Sequence, residues 1–141
     1  MNPKALIITL FLLISILVTP SCHKEGNTPV DQYISLLDEA TEKTKKISNI
    51  SELINVPGII SQEDALAIIR ANPYYKLSEK DKTRIKKSFE HLLRSAFEKT
   101  IEFSQMSSLD KEQAKTQIDL IIAAANKKID QATSLGDLGG I

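Results

Sequence analysis

The chain has 141 residues, 18 basic and 18 acidic side chains, one cysteine and no tryptophan. That length bounds a single domain, and the balanced charge excludes a general nucleic-acid binder. One cysteine allows no internal disulfide, so stability has to come from aliphatic packing.

Taken in chain order, the first feature is Lys4 followed by an apolar run, Ala5 to Val18, and then Thr19-Pro20-Ser21-Cys22. This is a positive n-region, an apolar core and a small-residue processing site. The run is short of the about 18–20 apolar residues that a spanning helix needs. The segment resembles a bacterial lipoprotein signal, whose lipobox ends in a cysteine. Ser21 and Cys22 fit that pattern, while Thr19 and Pro20 depart from its commonest residues. The resemblance implies removal of residues 1–21 and acylation of Cys22 as the new N-terminus. A plain cleaved signal and an uncleaved anchor are the alternatives.

Residues 22–28 then form the lipidated cysteine and a short tether, and 29–141 form the domain. Loss of Lys4 leaves 17 basic and 18 acidic residues. The six linker residues 23–28 reach about 20 Å when fully extended, which holds the domain close to a bilayer. Lys24-Glu25 is similar to the charged signal that follows the cysteine in surface-displayed lipoproteins of Bacteroidetes. His23 in second place, rather than aspartate, fits an outer membrane better than an inner one.

Four helix starts follow one logic. Thr28-Pro29-Val30-Asp31 offers a hydroxyl N-cap, a proline at the first helical position and a carboxylate near the positive end of the dipole. Ser61-Gln62-Glu63-Asp64, Ser78-Glu79-Lys80-Asp81 and Ser107-Ser108-Leu109-Asp110 repeat the cap and carboxylate. Breaks fall at Val56-Pro57-Gly58, Asn72-Pro73-Tyr74-Tyr75 and Met106-Ser107-Ser108, and Gly136, Gly139 and Gly140 are expected to end the last helix.

The first helix is expected from Pro29 to about Ile47, with a thin stripe of Ile34, Leu37, Thr41, Thr44 and Ile47. A short helix near Ile50 to Asn55 follows, then Gln62 to Ala71, which buries Ala65, Leu66 and Ile69. The third long pattern, Glu79 to about Gln105, places Ile85, Phe89, Leu92, Leu93, Ala96, Thr100 and Phe103 on one face. The last, Leu109 to about Thr133, gathers Ala114, Ile118, Ile121, Ile122, Ala125, Ile129 and Ala132, with small residues at Ala123 and Ala124. The expected fold is all-α: a small up-down helical bundle with a long C-terminal antiparallel helix hairpin.

Catalytic signatures are missing. No His-Glu-x-x-His, phosphate-binding glycine loop or Gly-x-Ser-x-Gly occurs, and an acylated Cys22 cannot act as a nucleophile. Two histidines far apart in sequence do not make a metal site, so neither catalysis nor a metal or cofactor is expected. The candidate contact residues are a basic stripe, Lys80, Arg84, Lys87, His91 and Arg94, at spacings of four, three, four and three. At 100° per residue these fall within about 40° of one line, which is read as lying opposite the apolar face. A docking face for an anionic partner and an ordinary solvated helix face both fit that pattern. Tyr74 and Tyr75 are a second candidate, either as contact residues on a loop tip or as a cap over helix ends.

The expectation is a lipid-anchored envelope protein that binds an envelope protein or an anionic surface partner, with no nucleic acid involved. A structural or assembly subunit and an immunity or exclusion lipoprotein are the alternatives.

Overall fold

The computed structural model describes residues 27–53, 62–105 and 107–140. The signal segment, Cys22, most of the tether and the break at Val56-Pro57-Gly58 lie outside the described residues. Five helices follow in order: α1 (Pro29–Lys45), α2 (Ile50–Leu53), α3 (Gln62–Ala71), α4 (Glu79–Phe103) and α5 (Ser108–Gln131). A 3-10 segment, Leu135–Gly140, comes last. No strand occurs among them, and the fold is an all-α helical bundle.

The helix starts are set by their caps. Thr28 and Ser78 each accept the backbone N–H of the residue three positions on, and Asp31 and Asp81 accept the N–H of their caps in return. These are reciprocal capping boxes, each satisfying two backbone donors that the helix leaves unpaired. Ser107 caps α5 by accepting the Asp110 N–H at 3.2 Å. The cap expected at Ser61 lies outside the described residues.

Side-chain pairing fixes the directions. Asp31, early in α1, meets Arg84, early in α4, at 2.7 Å, while Lys45 and His91 line the same groove further along both helices. The two therefore run parallel. Lys86 meets Asp130 at 2.6 Å and Arg94 meets Asp119 at 3.1 Å, so α5 runs antiparallel to α4. The starts of α1 and α4 and the finish of α5 consequently share one end of the bundle.

The core is concentrated at that end. Val30, Tyr33, Ile34, Leu37 and Ala40 of α1 join Ile85 and Leu92 of α4 and Ile129 of α5. Ile69, Leu77, Ala132, Leu135 and Leu138 close it, with Phe89 and Tyr75 packed against it. The stripe expected to be thin on α1 is instead among the most deeply buried surfaces of the molecule. Thr41 and Thr44 join it because each hydroxyl donates to the carbonyl four residues back, at 2.9 and 2.8 Å. That bond removes the cost of burying a hydroxyl, so each threonine packs by its methyl group. On α4, Ser88 and Ser95 are buried as well, and Ser88 lines the seam with Ile34 and Thr41 of α1.

Three expectations are corrected. α5 stops at Gln131 because Ala132 adopts an extended conformation, and Gly136 and Gly139 fall in the 3-10 segment rather than at the helix end. Ile121 is 52% exposed, since α4 is the main helix packed on α5 and reaches only the Ile118, Ile122, Ala125 and Ile129 side. Ala123, Ala124 and, on α4, Thr100 are exposed too.

A bridge between distant segments locks the core end. Leu77 N–H donates to Thr133 O at 3.1 Å and Leu135 N–H to Tyr75 O at 2.8 Å. Gly136 N–H adds a bond to Pro73 O at 3.0 Å, tying the turn between α3 and α4 to the chain after α5.

Candidate functional site

The basic stripe does not lie on a free back face. Ser88 and Ser95 sit between it and the apolar face, and α1 covers that flank, so the stripe borders the groove between α1 and α4. Its five members have different surroundings. Arg84 is committed to Asp31, with Asp81 a further 4.0 Å contact. Arg94 bridges Glu90 at 2.8 Å and Asp119 at 3.1 Å. Both arginines join helices rather than wait for a ligand. Lys80, Lys87 and His91 remain exposed.

The Arg84 joint is electrostatically the best defined. The Asp31 carboxyl is lowered from 3.8 to about 2, first by the Thr28 backbone N–H and next by the Arg84 guanidinium and the Thr28 hydroxyl. Arg94 is held above its usual range by Glu90 and then Asp119, which leaves its charge fixed.

Between the helices lies an open groove of about 530 Å³ lined by Ile34, Asp38, Glu42, Lys87, Ser88 and His91 among others. Lys45 and Arg84 complete a wall that carries both signs of charge. Lys45 pairs with Glu42 at 2.8 Å, and that contact holds the Glu42 carboxyl below its ordinary range. A groove whose wall carries both signs of charge suits a polypeptide better than a simple polyanion.

The two tyrosines separate. Tyr74 is 90% exposed, whereas Tyr75 packs against the core and accepts the Leu135 N–H through its carbonyl oxygen. Tyr74 lies in the turn and Tyr75 begins the segment that pairs with Leu135, so the shared role expected of them divides into one contact and one cap.

A surface the stripe reading missed lies on α5. From Gln113 to Ala124 the outer arc consists of Gln113, Thr116, Gln117, Leu120, Ile121, Ala123 and Ala124, all exposed and none charged. Leu109 adds to it at 67% exposure. The charges in this stretch, Lys115 and Asp119, share the flank whose Asp119 pairs with Arg94. The signal was present in the sequence as charges confined to one side of a helix that carries isoleucine and leucine on both.

Among the described residues no group of three or more His, Cys, Asp or Glu side chains is placed to hold a metal ion. No described helix is long and apolar enough to cross a membrane. Compared with protein-family models, curated proteins and solved structures, the chain matches none.

Proposed function

We propose that this is a lipid-anchored protein of the cell envelope, in an outer rather than an inner membrane, that acts by non-catalytic binding of a partner. The observation that carries the reading is the spacing between Cys22 and the bundle. Thr28 already caps α1, so six residues separate a lipobox-like cysteine from the first helix. An exported domain with one cysteine and no disulfide partner has a use for that thiol as an acylation site. The exposed Lys87 and His91, on the lateral groove, supply the contact surface for an envelope protein. Arg84 and Arg94 serve by holding the helices that present them.

One observation favours a second reading. The uncharged outer arc of α5 is the kind of surface that packs into a larger assembly, which fits a structural or assembly subunit.

Intact mass of protein extracted from membranes, wild type beside Cys22→Ala, tests the anchor. The expected result is loss of residues 1–21 with a lipid-sized mass gain that the variant lacks. An unmodified Cys22 thiol would overturn it. Lys87→Glu combined with His91→Glu is expected to weaken cross-linking to a membrane partner at least tenfold with the thermal midpoint unchanged, about 1.4 kcal/mol or more of binding. Leu120→Glu acting instead of that pair would transfer the contact to α5 and support the assembly reading.

A further inference from the structure

This inference rests on the acylated Cys22 of the preceding reading and specifies how the domain sits. We propose that the core end of the bundle rests directly on an anionic lipid surface. Tyr74 sits at headgroup level, and Arg70, Lys76 and Lys80 lie against the acidic headgroups.

Three independent features converge on that end. The first is the tether. Thr28 sits where α1 and α4 begin and α5 finishes, so the short linker emerges from the core end and keeps it within about 20 Å of the acyl chain. The far end is separated from it by the length of α4, 25 residues or about 38 Å at 1.5 Å per residue.

The second is the turn that carries Tyr74. It belongs to the same end, because the residues after it pair with Thr133 and Leu135. The turn is braced on both sides of the ring: Tyr75 N–H donates to Asn72 O at 3.1 Å, and Pro73 O accepts the Gly136 N–H at 3.0 Å. A tyrosine that is 90% exposed on a fixed turn has an apolar ring and a polar tip, the combination found at membrane–water boundaries.

The third is charge. Most acids at this end are paired with a cation. Asp31 and Asp81 share Arg84, Glu79 pairs with Lys82, and Asp130 pairs with Lys86. Asp137 stays an anion, its carboxyl held below the usual range by the Thr133 and Ser134 N–H groups, and offsets one basic side chain. Arg70, Lys76 and Lys80 are exposed and have no ion-pair partner among the described residues. Basic side chains held near an anionic surface each favour contact by about fivefold. The lateral groove carries both signs and lacks this bias.

The absence of tryptophan makes the test direct, because Tyr74→Trp introduces the sole indole. The full acylated chain is placed in phosphatidylcholine vesicles with brominated acyl chains, with and without phosphatidylglycerol. Tyr74→Trp fluorescence is expected to be quenched, more strongly when phosphatidylglycerol is present, whereas Leu109→Trp at the far end stays bright. Adding Lys76→Gln and Lys80→Gln to Tyr74→Trp is expected to lower contact by about 25-fold, fivefold for each lysine. Equal quenching at the two positions, or quenching indifferent to phosphatidylglycerol and to the lysines, would overturn the proposal. Mass measurement of the same sample separates the two levels. An acylated chain without the quenching pattern removes this orientation alone, and an unacylated Cys22 removes the anchor with it.

Discussion

A Cβ placed on Gly136 would lie 2.6 Å from Pro73 O, the oxygen that accepts the glycine's own N–H. The two segments touch through backbone, so there is no flexible side chain to move aside. Gly136→Ala is expected to cost about 1–3 kcal/mol, in the range of overpacked sites. Gly139 is the control, since a Cβ there meets only Ile69 Cγ2 at 3.8 Å. Gly139→Ala is expected to be neutral or to stabilise by up to about 1 kcal/mol through the unfolded chain. Urea melts followed by helical circular dichroism compare them, and equal midpoints would show that the bridge is loose. Thr44 makes the related point for polar residues. It is fully buried, yet its hydroxyl reaches Ala40 O within its own helix, so a threonine on an apolar stripe costs the core little.

At the level of elements, the joint between α1 and α4 depends on one carboxylate. Asp31 closes the α1 capping box and receives Arg84, and its folded value of about 2 lies below the ordinary 3.8. A depressed carboxyl contributes stability that is complete above about pH 4 and fades as pH falls towards 2. Thermal midpoints measured across that window should fall for the wild type. They should fall less for Asp31→Asn, which starts lower and has no such proton to gain. Parallel slopes would show that the joint is not what titrates there. The caps and lengths of these helices were legible in advance, because Thr28, Ser78 and Ser107 advertise them locally. What α1 packs against was not. Its stripe looked sparse from composition alone, and its burial rests on Val30, Tyr33 and Ala40 beside it and on partners such as Ser88 and Ile85 of α4. The basic stripe was legible as a row of charges. Its division into two arginines that join helices and three exposed residues depends on Asp31 and Asp119, which lie on other helices.

Across the whole molecule, the core end is sealed on every side, while the far half of the α4–α5 hairpin has far less cover. α1 reaches Lys45 in the region of His91, and α4 continues to Phe103. Helical phase alone put Ile121 and Ile122 on one face, because periodicity cannot show that a helix has one main neighbour rather than two. The exposed partner is therefore expected to tolerate charge: Ile121→Glu should change stability by less than about 0.5 kcal/mol. Ile122→Ala, at a buried site, should cost about 2–5 kcal/mol. Similar losses from both would mean that a second element covers α5 in solution, and equilibrium unfolding distinguishes these cases.

The bridge that joins Tyr75 and Leu77 to Thr133 and Leu135 also governs timing. Its partners lie on opposite sides of the α4–α5 hairpin in chain order, and Leu135 and Leu138 follow every helix. A growing chain presents Val30, Ile69, Leu77 and Ile85 long before the residues that close over them exist. Individual helices form early and locally, but the core closes only once Leu135 and Leu138 have joined it. Until then the apolar faces of α1, α3 and α4 lack part of their cover.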